Sequence, residues 1–174
     1  FTLAAGETKT LSFGNIEDIC ELSGPRVIEA GATATLVTRS GFASYDWQIS
    51  GGSIIQNDGA TIVWQAPATP GIYTIEVNTT TLGGAEQNCQ IQVIVALRPT
   101  VVVNDAVFCE GDLGTLTAVT NAAQPSYKWS NGATTASILV AEAGEYSVVV
   151  TDGQTGLSST ASGHVVVYGL PAVS

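Results

Sequence analysis

The stretch PGIYTIEV at residues 70–77 decides the fold, because it returns as AGEYSVVV at residues 143–150. In both copies a glycine precedes a tyrosine, and an apolar side chain then follows at every second position. This period of two is typical of a strand with one buried and one exposed face. The tyrosines, Tyr73 and Tyr146, mark the same position in two copies of one strand.

Three further blocks repeat in the same order along the chain. They are GATATL at 31–36 and GDLGTL at 111–116, YDW at 45–47 and YKW at 127–129, and VIVALRP at 93–99 and VVVYGLP at 165–171. Four blocks in one order indicate a duplicated module, since self-similarity at a fixed spacing is the mark of a repeat architecture.

Each copy consists of short strand patterns separated by turn dipeptides such as Gly51-Gly52 and Asn131-Gly132. The clearest predicted strands are 33–37, 45–49, 72–77 and 93–95 in the first copy, and 115–119, 127–129, 146–150 and 165–167 in the second. About seven short strands at this spacing are typical of an Ig-like sandwich. The sequence therefore predicts an all-β protein of two tandem Ig-like antiparallel β-sandwich domains.

We place the first domain at 1–97, with a module core of about 22–97 and an N-terminal extension, and the second at 98–174. The spacing from tryptophan to tyrosine is longer in the first copy, so segment 51–65 is expected to add a hairpin. The linker near residue 98 is short, which predicts a semi-rigid pair. The last residues, from Leu170, repeat the start of the second copy and are expected to begin a further repeat.

The composition excludes several classes of partner. Asp and Glu number 15 against 5 Lys and Arg, which gives a net charge of −10. Nucleic acid is therefore excluded, because phosphate binding requires clustered basic residues. No apolar run approaches the roughly 18 residues of a membrane span, so no membrane insertion is expected. Thr, Val and Ile supply 52 of the 174 residues, which favours strands over helices.

Five aromatic residues are predicted to lie in the cores. Trp47 and Trp129 occupy the place where Ig-like sandwiches bury a central tryptophan. Trp64 lies two residues after Ile62 and therefore shares its strand face, which is expected to be buried. Tyr73 and Tyr146 lie where Ig-like sandwiches form a tyrosine corner. The alternative use of such rings, stacking on sugars, needs an exposed row of aromatics.

Several motifs resemble the Ig-like and PKD-like modules of large type IX-secreted surface proteins of Gram-negative bacteria. In the second copy these are CEG at 109–111, YKWSNGATT at 127–135 and GEYSV at 144–148. In the first, SGGSI at 50–54 and IVW at 62–64 are similar to the PKD-like variant. The resemblance covers about 24–171. It implies a location outside the cell or on its outer surface, in an adhesin, a gliding-associated protein or a polysaccharide-degrading enzyme, and it brings no catalytic residues.

The three cysteines, Cys20, Cys89 and Cys109, leave three pairings or a fully reduced state open. The resemblance implies a bridge between an early and a late cysteine of one module, which here is Cys20–Cys89. The place of the matching late cysteine in the second copy reads Gly156-Leu157. Cys109 is therefore expected to be a free, buried thiol, and the bridge implies an oxidising compartment.

The acidic residues offer a weak candidate for a metal site. Asp105, Glu110 and Asp112 cluster at the start of the second module, and Asp152 lies in a late turn. Oxygen ligands of this kind hold Ca²⁺, yet no calcium-loop spacing is present. The alternative is a solvated acidic surface, and no cofactor is predicted. His164 is the sole histidine, which rules out a multi-histidine zinc site and leaves a catalytic triad without support.

These observations predict a non-enzymatic structural or adhesive repeat segment that acts as a semi-rigid spacer. The alternative is a carbohydrate-binding accessory module of a secreted polysaccharide-degrading enzyme. Expected partners are neighbouring modules of the same chain and either surface glycans or other cell-surface ligands, and the chain itself is expected to be a monomer.

The disulfide hypothesis predicts the number of free thiols. The unfolded, unreduced protein should react with one equivalent of a thiol reagent, because one of the three cysteines has no partner. Three equivalents would contradict the bridge and the oxidising location together.

Overall fold

The computed structural model describes residues 20–169, within which fifteen strands form. The predicted N-terminal extension and the start of a further repeat lie outside the described residues. The strands are β1 (Leu22–Ser23), β2 (Val27–Glu29), β3 (Thr33–Thr38), β4 (Ser44–Ile49), β5 (Ser53–Asn57), β6 (Thr61–Gln65), β7 (Gly71–Thr80), β8 (Glu86–Ala96), β9 (Val101–Val103), β10 (Ala106–Cys109), β11 (Gly114–Thr120), β12 (Pro125–Trp129), β13 (Ser137–Val140), β14 (Gly144–Asp152) and β15 (Ser158–Tyr168).

Four sheets result, and none mixes strands from before and after residue 97. The first sandwich has the sheets β1-β3-β6-β5 and β2-β8-β7-β4, and the second has β13-β11-β9 and β10-β15-β14-β12. The all-β prediction of Ig-like sandwiches is confirmed. Contacts between Cα atoms also divide the chain into two compact units, but these place 27–32 and 68–71 with the second unit. The boundary at residue 97 thus stays a prediction.

The first two strands of each sandwich belong to different sheets. In the first, β1 runs antiparallel to β3 and β2 runs parallel to β8. In the second, β9 runs antiparallel to β11 and β10 runs parallel to β15. This change of sheet gives both sheets an early strand and explains why each copy contains a parallel pair.

The duplication extends to individual backbone hydrogen bonds. Ala30 N donates to Ala96 O at 2.8 Å, and Glu110 N donates to Tyr168 O at the same distance. The next residue in each copy is a glycine with positive φ, 77° at Gly31 and 96° at Gly111. A left-handed residue is needed at this turn, and glycine adopts it without a Cβ clash.

Each core is built from inward positions of facing strands. In β7, Ile75 and Val77 are fully buried while the intervening Glu76 reaches solvent. The largest fully buried side chains of the first sandwich are Leu36, Ile62, Trp64, Ile75, Val77, Ile91, Val93 and Val95. The core of the second comprises Leu116, Ala118, Trp129, Ile138, Val140, Val148, Val150 and Val165.

The three tryptophans are buried, and each indole N–H donates to a backbone carbonyl. Trp47 donates to Gly59 O at 2.8 Å, Trp64 to Gly51 O at 2.9 Å and Trp129 to Thr135 O at 2.8 Å. These bonds satisfy the polar edge of each ring, which would otherwise be costly to bury.

The two tyrosines differ from the prediction, because both are half-buried instead of lying inside the core. Tyr146 packs against the second core while its hydroxyl donates to Glu142 O at 3.2 Å, four residues upstream. This is the bond of a tyrosine corner, and it holds the ring at the margin of the sandwich. The Tyr73 ring lies 6.4 Å from that of Trp64.

The added segment of the first copy contributes one strand to the sheet. Strand β6 pairs with β3 as β13 pairs with β11, so β6 and β13 correspond. The additional strand is β5, which forms the expected hairpin with β6. A bulge at Ile55 interrupts their register and leaves that side chain exposed.

Thr79 supplies a stability test, because its Oγ1 is buried with no hydrogen-bond partner among residues 20–169. Valine has the same shape without the hydroxyl. Thr79→Val should therefore raise the free energy of unfolding by about 1 kcal/mol, the cost of burying an unpaired hydroxyl. Thr35→Val, on an exposed position of β3, is the control and should change little. A less stable T79V variant in urea unfolding would contradict the assignment.

Candidate functional site

The disulfide joins Cys20, just before β1, to Cys89 in β8, with a Cα–Cα distance of 6.0 Å. The Cys20 side is fixed further by its N–H, which donates to Gln87 Oε1 at 2.7 Å. The bridge spans 69 residues, and a loop of that length stabilises a fold by about 4 kcal/mol in the chain-entropy account. It is the pairing that the resemblance implies.

Cys109 is a free cysteine, but it is exposed, so the expectation of a buried thiol was wrong. Alternation along β10 explains the difference: Phe108 packs against the second core, which turns Val107 and Cys109 outward. Cys109 lies beside Tyr168 at the end of β15, whereas Leu157 precedes the start of that strand. At about 3.3 Å per residue they are about 35 Å apart, so a cysteine at 157 would not reach Cys109.

The four acidic calcium candidates are not brought together. Asp105 precedes β10, Glu110 and Asp112 lie in the turn after it, and Asp152 ends β14. Asp105 Oδ1 already accepts the backbone N–H of His164 at 2.7 Å. No group of three or more His, Cys, Asp or Glu side chains within residues 20–169 is arranged to hold a metal ion.

Asp152 has a structural environment instead. Its Oδ1 accepts the N–H of Gln154 at 2.8 Å, and its Oδ2 accepts that of Ala123 at 3.1 Å. These backbone donors, Ala123 first, lower the pKa of the Asp152 carboxyl because they stabilise its charged form. The side chain thus shapes the turn between β14 and β15.

The outer face of the sheet β4-β7-β8 is the most developed candidate site, and sequence analysis missed it. Apart from Ile72 and Ile94, its outward side chains are polar and can form hydrogen bonds. They are Ser44, Asp46 and Gln48 on β4, Thr74, Glu76, Asn78 and Thr80 on β7, and Glu86, Asn88, Gln90 and Gln92 on β8. The available signal was the polar residue at every second position of these strands, which marks an outward face without showing what lies beside it.

A groove of about 440 Å³ runs over this face, lined by Ser44, Asp46, Asn78, Thr79, Thr80, Glu86, Gln87 and Asn88. A second depression of about 210 Å³ lies farther along β4 and β7, lined by Gln48, Ile49, Ser50, Thr74 and Glu76. We call the two together the polar groove.

Hydrogen bonds hold several lining side chains in place. Asn88 Nδ2 donates to Asn78 Oδ1 at 2.7 Å and also to Glu76 Oε1. Ser44 Oγ donates to Thr80 Oγ1 at 2.9 Å across the strand pair. These bonds preorganise the groove, because the side chains need not be ordered again when a ligand binds.

The groove is also distinct in charge. Asp46, Glu76 and Glu86 contribute carboxylates, and strands β4, β7 and β8 contain no Lys, Arg or His. The corresponding sheet of the second sandwich mixes both signs, with Lys128, Glu145, Val149 and His164 on its exposed side.

Comparison with known proteins finds structural similarity only. No protein-family profile and no curated protein sequence matches the chain. Among solved structures, Sidekick-1 immunoglobulin domains 1–5 match at 14% identity and a TM-score of 0.38, over 87% of this chain and 40% of theirs. Murine CEACAM1b matches at 15% and 0.44, over 84% of this chain and all of its own. The insect immune protein hemolin matches at 16% and 0.43, over 84% of this chain and 46% of its own.

The chain thus spans less than half of the Sidekick-1 and hemolin structures. Identities this low, with TM-scores below 0.5, carry no argument about a ligand or a partner, since one fold serves many functions. Among residues 20–169, no helix has the length and apolar character needed to cross a membrane.

Proposed function

We propose that the chain is a non-enzymatic structural and adhesive repeat segment of a large secreted or cell-surface bacterial protein. The observation that carries this proposal is the duplication itself, down to the shared turn at Gly31 and Gly111. Repeated copies of a sandwich extend a chain by similar steps, and they leave outer faces available for contact with other molecules.

An oxidising location supports the proposal. The Cys20–Cys89 bridge belongs in an extracytoplasmic compartment, because the cytosol keeps most thiols reduced. The resemblance to type IX-secreted surface proteins makes the outer surface of a Gram-negative bacterium the proposed site of action.

Two of the four metal-binding candidates serve the fold, because Asp105 and Asp152 accept backbone N–H groups. The proposed role needs no cofactor and no reacting group.

The second candidate, a carbohydrate-binding module beside a polysaccharide-degrading domain, is favoured by one observation, the polar groove. Stacking on tryptophan is not its basis, because Trp47, Trp64 and Trp129 are all buried. Under either proposal the partners are neighbouring modules of the same protein and surface glycans.

A series of copy numbers tests the spacer role in the parent surface protein. Residues 20–169 would be deleted, kept once or duplicated, and cells would be captured on beads that recognise the domain beyond this segment. Deletion should lower capture, because the domain moves closer to the cell, and duplication should preserve or raise it. Equal capture by the three forms, or loss of capture on duplication, would contradict the proposal.

A further inference from the structure

We propose that the polar groove on β4, β7 and β8 binds a neutral glycan chain through hydrogen bonds, without stacking on aromatic rings. The inference rests on the proposed adhesive function, for which it names the ligand class and the face. It assigns recognition to the first sandwich and not to the second.

The length of the groove suits an oligosaccharide. Ser44 lies opposite Thr80, Asp46 opposite Asn78, and Gln48 opposite Glu76, so polar pairs follow one another along two strands. Along β7, from Thr74 to Thr80, the two depressions together extend about 20 Å at the usual rise per residue. Its larger part, about 440 Å³, lies within the range of ligand sites.

The lining matches the chemistry of sugar hydroxyls, each of which both donates and accepts. Carboxylates at Asp46 and Glu86 only accept, whereas the Asn78 amide also donates; the two Nδ2 hydrogens of Asn88 already bond Asn78 and Glu76, which leaves its Oδ1 as an acceptor. Glu86 makes no side-chain hydrogen bond within residues 20–169, and Asp46 receives one long bond of 3.3 Å from Gln48. Acceptor capacity is therefore available in the groove at Asp46 and Glu86.

A protein partner fits this lining poorly. Interface centres are enriched in aromatic residues, Met and Arg, and depleted in Asp, Glu and Ser. The outward positions of β4, β7 and β8 contain none of the first group and several of the second.

Charge then selects among glycans. Asp46, Glu76 and Glu86 have no basic residue on their strands to offset them. Uronic-acid and sulfated chains would be repelled, and their carboxylates and sulfates would find no cationic partner. A glycan without charged groups meets neither penalty.

The test is an NMR titration of the full chain with cellohexaose, xylohexaose, mannohexaose, maltohexaose and laminarihexaose, with hexagalacturonate and hexalysine as charged probes. At least one neutral oligosaccharide should shift backbone amide signals of β4, β7 and β8, and salt should change the affinity little. Asn88→Ala should lower the association constant about tenfold, because it removes the side chain that organises two others.

Ser162→Ala, on the exposed side of β15, is the matched control and should bind like the unaltered chain. Asp46→Ala changes a second exposed position of the groove and should also weaken binding. It keeps the test decisive if Asn88→Ala fails to fold. The proposal is overturned if no neutral oligosaccharide binds, if the shifts map to another surface, or if only hexagalacturonate or hexalysine binds at the groove. Glycan binding with a failed copy-number series would refute the spacer role and leave the groove assignment standing, and the reverse result would refute the groove alone.

Discussion

Each sandwich is organised around a buried tryptophan at the same position of the repeat, and the indole N–H of that ring must find a partner. The indole N–H groups of Trp47 and Trp129 donate to the loop carbonyls of Gly59 and Thr135, both at 2.8 Å. A ring of this size contributes much of the apolar burial of a small core, and an unpaired N–H would offset part of that gain. The tryptophan thus fixes its own strand, the loop that accepts its N–H and the inward positions of the strands around it.

The sequence predicts whatever depends on local alternation. The period of two placed Ile75 and Val77 on one face and identified the principal strands of both copies. Two expectations were wrong at positions that nearby residues decide. Cys109 is exposed because Phe108 takes the inward position of β10, and Tyr146 stays half-buried because its hydroxyl reaches back to Glu142.

The polar groove could not be predicted because it depends on side chains from three different strands. Asp46, Asn78 and Asn88 are ordinary outward residues in their own strands, and only the strand register brings them together. Because the inner faces carry the core, the outer faces of the two copies are free to differ. One presents carboxylates and amides, and the other presents Lys128 and Val149. A duplicated fold can in this way combine one architecture with two kinds of surface.

Hydrogen exchange of the indole N–H groups, followed by NMR in D₂O, tests the central role of the tryptophans most directly. The signals of Trp47 and Trp129 should persist as long as the backbone amides of Val77 and Val148 in the respective cores, because opening the bond requires opening the sandwich. Exchange of either indole at the rate of a free indole, while those amides stay protected, would contradict the account.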